Sequence, residues 1–264
     1  MSFFQTIGRA ALAFLAYLGQ LGLLVREILV SLTRGQRRIK QIWEQIAEIG
    51  ARSQIVVCVT GAFTGAVLSA QTLFQFKLFG LETATGGLVS VAMLRELGPT
   101  ITGLMLAGRV GSAMAAEIGT MKVTEQIDAL RSMAVHPIDY LVTPRILAMT
   151  ISVPLLIAES AALGILASYI VGVFVFQVEG AYWIDNMLMY VDLTDVTIAT
   201  VKGLAFGLLI VVISCHQGLK ATNGAVGVGR GTTDAMVYSS LAILVANFFL
   251  TLLMQITFPA SLVK

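Results

Sequence analysis

The sequence is short of charge. Asp, Glu, Lys and Arg together make up 12% of its 264 residues, about half the share expected of a soluble globular chain. A water-exposed exterior cannot be built from so few charges, and this excludes a soluble fold. Disorder is excluded too, because disordered chains are polar and charge-rich. Cysteine is nearly absent: Cys58 and Cys215 both lie in apolar runs, which leaves neither a disulfide scaffold nor a Cys-rich metal site in view. Histidine is limited to His136 and His216, which read as polar or capping residues rather than metal ligands. No GxSxG, HExxH or GxxxxGK[ST] text occurs, so no hydrolase, zinc or P-loop nucleotide site is expected. The net charge of +2 says little by itself, and no nucleic-acid partner is expected. Apolar residues are what the chain has, at 57% with a mean hydropathy of +0.87. This is an all-α integral membrane protein.

A bilayer crossing takes about 20 helical residues. Runs at 53–76, 86–107, 196–215 and 235–258 meet that length, and 146–178 is read as one long, tilted or kinked helix. Residues 1–52 form a separate N-terminal segment. Its 16 uncharged residues, Ala10–Val25, are flanked by Arg9 and Arg26 and suit an interfacial helix better than a sixth span. Lys and Arg number 7, 1, 4, 0, 2 and 1 in the successive segments outside the five spans. That alternation places the N-terminus in the cytoplasm and the C-terminus outside.

Arg95, Glu96, Glu159 and Lys202 fall inside the spans. Each costs about 2.5–3.5 kcal/mol at a helix centre and needs a partner or a wet cavity. At a rise of 1.5 Å per residue they sit at similar depth, roughly 9–13 Å from the outer surface. Arg95 and Glu96 are adjacent, point about 100° apart, and must each look elsewhere. A belt lining a headgroup cavity and a set of interhelical ion pairs are both open readings. The glycine-rich stretch Asn223–Gly231 reads as a loop ahead of an N-cap at Thr232, Thr233 and Asp234.

Gly108–Arg145 is the most informative stretch. Gly108, Gly111, Ser112, Ala113, Ala115 and Ala116 permit close helix approach. Thr124 can then cap a short amphipathic helix, Glu125–Met133, with Ile127, Leu130 and Met133 on one side and Glu125, Asp128 and Arg131 on the other. Such a helix suits either a plain connection or a lever pushed by a cytosolic motor.

The text MLRELGPTITGLMLAGRVGSAMAAEIGTMKVTEQIDALRSMAVHPIDYLVTPRILA (Met93–Ala148) resembles the MlaE permease family, as does HQGLKATNGAVGVGRGTTDAMVYSS (His216–Ser240). The resemblance covers nearly the whole chain past about residue 45, and the EIGTMKVTEQIDAL block is its most specific part. It implies the homodimeric membrane subunit of an ABC-type phospholipid transporter in a bacterial inner membrane, maintaining outer-membrane lipid asymmetry. A cytosolic ATPase dimer holding ATP and Mg, a STAS-domain accessory protein and a hexameric periplasmic MCE-domain protein are the implied partners, with no cofactor in this chain. The N-terminal segment would be an interfacial elbow helix, and Glu125, Gln126, Asp128, Leu130 and Arg131 would belong to the coupling helix. Arg95, Glu96 and Lys202 match charged positions of the family's membrane core, whereas Asn247 stands where some members carry an acidic residue. Lipid tails are expected against Leu68, Leu73, Phe74, Phe76, Leu78, Phe79 and Leu88, with headgroups near the charges. Two other readings compete. An ion-coupled carrier using Glu159, Glu96 and Lys202 predicts inverted repeats, which the sequence does not display. A non-transporting scaffold predicts that the charges matter for assembly alone.

Overall fold

The computed structural model describes residues 3–34 and 38–257, and the regular structure among them is entirely helical. Arg37, Phe258 and Lys264, which entered the charge series and the last span, lie outside the described residues. The helices are α1 (Phe3–Arg34), α2 (Ile39–Ile46), α3 (Gln54–Lys77), α4 (Thr85–Ala92), α5 (Gly98–Leu106), α6 (Ser112–Val123), α7 (Gln126–Ser132), α8 (Thr143–Ile170), α9 (Gly180–Tyr190), α10 (Leu193–Leu219) and α11 (Gly224–Thr257). Wider π turns at Met93–Leu97 and Ala107–Gly111 join α4, α5 and α6 into one path.

Five stretches are long and apolar enough to cross a membrane: Leu15–Thr33, Ile39–Lys77, Ile138–Val175, Leu193–Leu219 and Gly224–Thr257. The α4–α6 path is not among them, since Arg95, Glu96 and its glycines lower its hydropathy. The N-terminal helix is, because it runs through Arg26 to Arg34 instead of ending at the arginine. Its contacts show how it sits. Tyr17 is bonded by Gln217 near the end of α10, and Ser31 pairs with Thr143 at the start of α8. Those two sites belong to the same end of the bundle, the end that carries α7. Tyr17 and Ser31 are separated by about 21 Å of helix, so α1 lies across that end.

Small residues set the closest packing. Gly61, Gly65 and Ser69 of α3 run parallel to Ser160, Gly164 and Ser168 of α8, with Ser69 Oγ donating to the Ser168 carbonyl at 3.1 Å. Four-residue spacing on both helices aligns the small faces and lets the backbones touch. At the opposite end of the bundle, α9 folds back and buries Trp183 completely, against Gly172 and Gly86. A methyl group at Gly172 would stand 2.4 Å from the indole ring. Gly172→Ala should therefore expel Trp183. In a background lacking Trp43, the emission maximum should move to longer wavelength, and an unshifted spectrum would show that α9 is not held this way.

Two expectations need correction. The glycine-rich stretch after Asn223 is not a loop: α11 begins at Gly224, just after the positive-φ residue Asn223. Packing of Val228 against Gly119 of α6 overrides the low helix propensity of glycine. The coupling segment is also shorter than Glu125–Met133. Thr124 bonds back to the Thr120 carbonyl instead of capping α7, and Glu125 turns the chain with φ 60°. Ile127 is fully buried and Leu130 partly so, but Met133 lies past the helix end and is exposed.

Candidate functional site

Arg95 and Glu96 sit in the π turn Met93–Leu97, between α4 and α5. A π turn widens the helix and frees a backbone carbonyl from the ladder, and here the Arg95 carbonyl accepts from Lys202 Nζ at 2.7 Å. The same ammonium lies 2.8 Å from Glu96 Oε1 and donates to Thr251 at 2.9 Å. Lys202 is thus wholly buried with all three of its protons used. Glu96, whose side chain is 40% exposed, also accepts from Asn247 at 3.0 Å and Thr251 at 2.9 Å. Arg95 turns the other way and donates through Nε to Asp195, which is fully buried. Each adjacent charge has found its own partner on α10, and the cluster is electrically neutral.

Glu159 does not join this cluster. It accepts from Gln54 and Cys58 of α3, at 3.1 and 3.0 Å. Met93 packs on Gly164 and Gly98 on Ala161, so Glu159 lies about 6 Å nearer the α7 end than Arg95 does. The depth count failed because the two apolar runs are not level: Arg145, just before the run in α8, pairs with Glu117, ten residues past the end of the second run at Ala107. Asp195 was missed. It stands one residue outside the expected span, where its Oδ2 takes the Asp192 N–H in a capping box. The text Asp192-Leu-Thr-Asp195 is the signal that could have found it.

An open groove of about 520 Å³ runs between α3 and α5, lined by Thr60, Phe63, Thr64, Val67, Leu68, Gln71, Leu97 and Ile101. Leu97 immediately follows the Arg95–Glu96 pair in the chain, but Arg95, Glu96, Asp195 and Lys202 do not line the groove. Of the expected tail contacts, only Leu68 lines it. Phe74, Leu78, Phe79 and Leu88 are exposed elsewhere on α3, the turn after it and α4, with Phe74 stacked edge-on against Phe176. Phe76 is half-buried. Leu73 is not available to a ligand: it is buried with Val178 and Trp183 beneath α9.

At the α7 end, Asp128 accepts from Lys122 at 3.1 Å and Arg131 at 3.0 Å, while Glu125, Gln126 and Arg131 face outward. A cavity of about 600 Å³ separates α7 from α1, lined by Leu24, Ile127, Arg131 and Leu219 among others.

A model of the family described as Permease MlaE matches residues 42–253. The chain belongs to the MlaE permease family. Its match to a probable ABC transporter permease protein of Rickettsia conorii is 39% identical, covering 94% of this chain and 95% of that one. The intermembrane phospholipid transport system permease protein MlaE of Haemophilus influenzae is 32% identical, over 96% of this chain and 98% of the relative. The chloroplastic protein trigalactosyldiacylglycerol 1 of Arabidopsis thaliana is 36% identical over 85% of this chain and 64% of its own. The MlaE match takes in the π-turn cluster, the groove and α7 together, so these three features belong to one permease architecture.

Proposed function

We propose that this chain is the permease subunit of an ABC transporter for phospholipids. The observation that carries the reading is the mostly apolar groove between α3 and α5, in a chain whose neutral charge cluster keeps Glu96 and Arg95 partly exposed. Apolar walls suit acyl chains, and the half-exposed Glu96 and Arg95 suit the charged or zwitterionic headgroup at one end. The name of the Haemophilus relative, which specifies phospholipid transport, supports the same substrate class.

Two copies would face their grooves toward one another to form an outward-facing pocket in a bacterial inner membrane. Basic residues concentrated at the α7 end support a cytoplasmic position for that end and for the N-terminus. The α1 helix then lies in the inner interface as an elbow. ATP and Mg belong to a cytosolic ATPase dimer that docks on α7, with a STAS-domain protein beside it. An MCE-domain hexamer receives or delivers lipid on the periplasmic side, in keeping with a role in outer-membrane lipid asymmetry. Arg95, Glu96 and Lys202 serve at the headgroup end, with Asp195 holding Arg95 in place.

Purification of the tagged chain from its own membranes in mild detergent, with mass spectrometry of proteins and lipids, tests this reading. Co-purification of an ATPase, an MCE-domain protein and phospholipid supports it. A chain that emerges without a nucleotide-binding partner sinks it and favours an ion-coupled carrier. The docking role of α7 makes a separate prediction. Asp128→Lys reverses the charge that Lys122 and Arg131 flank, leaving three cations together. ATPase stimulation by the permease should fall about tenfold or more while membrane insertion is unchanged. Full lipid-stimulated ATP hydrolysis by this variant would show that α7 is not the docking element.

A further inference from the structure

Arg145, at the start of α8, is only 3% exposed, and its Nη2 lies 2.7 Å from Glu117 Oε2 on α6. Its other terminal nitrogen, Nη1, is buried with no hydrogen-bond partner among the described residues. Cys215 of α10 lies near the guanidinium. One buried cation therefore ties α6 to α8 at the α7 end, close to α10, and Glu117, whose side chain is 59% exposed, is the anion that compensates it.

The position of this tie relative to α7 gives it a role. Both junctions of α7 carry a non-glycine residue with positive φ: Glu125 at 60° and Ala134 at 57°. Such residues bend the chain sharply, so α7 is a short rod on two kinks. A push on it would be absorbed there unless its flanking helices were braced. Lys122–Asp128 ties α7 to α6 with both side chains partly exposed, where an ion pair contributes little, whereas in Glu117–Arg145 the arginine is buried. Glu117–Arg145 ties α6 to α8 across the base of the whole segment, beside Cys215 of α10. That helix carries Asp195 and Lys202 at its other end.

Resting on the transporter reading above, we propose that Glu117 and Arg145 are positioning residues. Their ion pair makes the α6–α7–α8 segment a rigid lever that carries ATPase movement into α8 and α10. The pair contacts neither lipid nor nucleotide; it acts by keeping α6 and α8 from sliding apart.

The test uses the permease with its ATPase partner in proteoliposomes, reading fluorescent-phospholipid transfer and ATP hydrolysis together. Glu117→Gln leaves Arg145 buried and uncompensated, and breaking such a pair is destabilising, so its yield will drop. The double variant Glu117→Gln/Arg145→Gln removes both charges and restores the yield. If the pair is a lever brace, the double variant binds ATPase and hydrolyses ATP, but lipid moved per ATP falls about tenfold. Glu117→Asp, which keeps the charge, then retains most of the wild-type ratio. A double variant with the wild-type ratio overturns the proposal, because the pair would then matter for folding only. Wild-type vesicles in which ATP drives no lipid movement would instead overturn the transporter reading itself.

Discussion

Lys202→Met will abolish lipid transfer and remove most of the folded protein, and adding Glu96→Gln will bring back the folded protein without the transfer. The ammonium of Lys202 holds Glu96 Oε1 at 2.8 Å, the Arg95 carbonyl at 2.7 Å and Thr251 at 2.9 Å. Methionine fills a similar volume but offers no proton. Glu96 then keeps a full charge in the membrane interior with only Asn247 and Thr251 to bond it. Breaking a buried pair by removing one partner costs about 3–5 kcal/mol, and the lower figure applies here because Glu96 is partly exposed. That is still a large share of the stability of an ordinary fold. Glutamine at position 96 removes the stranded charge and can still accept from Asn247, so the double variant folds. It lacks the charges that meet a headgroup, so transfer stays low. The readouts are monodisperse yield on size exclusion and phospholipid transfer in reconstituted vesicles. Wild-type transfer by the double variant would mean that the Lys202–Glu96 pair fixes helix packing alone, as the scaffold reading holds.

The sequence showed that Arg95 and Glu96 need separate partners, because adjacent helical residues diverge by about 100°. The structure supplies two, Asp195 and Lys202, both from α10. It was not legible that Glu159 stands apart. Depth counted from the edge of an apolar run depends on where the helix begins. Arg145, just before the apolar run of α8, pairs with Glu117, ten residues past the end of the second run at Ala107, so the two runs are not level. Charge neutrality was a poor guide for the same reason. The four span charges summed to zero, yet the neutral set in the structure replaces Glu159 with Asp195, a residue just past the expected boundary. The N-terminal helix also outruns the window used to judge it. A window ended at Arg26 looks too short to span, while the helix continues to Arg34 and passes on length and apolarity. Its placement across the α7 end follows from tertiary contacts at Tyr17 and Ser31, which no local pattern encodes. The groove was half legible. Leu68 was found as one apolar residue among many, but Thr60, Phe63, Thr64 and Val67 define the face only once α5 is seen beside α3.

The structure also exposes a dependence of the charged site on a seam that contains no charge at all. A Cβ added to Gly65 would lie 2.0 Å from the Gly164 carbonyl oxygen, and one added to Gly164 would lie 2.2 Å from Met93 Cε. Met93 is the first residue of the π turn that presents Arg95 and Glu96. The α3–α8 seam therefore seats the turn, and a shift of α8 moves the cluster with it. Ordinary carbon contacts begin near 3.5 Å, so Gly65→Ala must displace one backbone by roughly 1.5 Å. The obstacle is a carbonyl, not the flexible end of a side chain, and cannot swing aside. Overpacking of this kind costs about 1–3 kcal/mol, and more where backbone must move. We expect Gly65→Ala to lower the thermal midpoint in detergent by at least about 5 °C and Gly65→Val to leave no monodisperse protein. Gly22→Ala on α1 is the control, since nothing lies within 4 Å of the added carbon and alanine favours a helix; its midpoint should stay level or rise. Lipid transfer by whatever Gly65→Ala protein is recovered should fall further than its yield, because Met93, packed on Gly164, opens the π turn that presents Arg95 and Glu96. A midpoint for Gly65→Ala equal to that of Gly22→Ala would show that the two helices do not meet at this glycine.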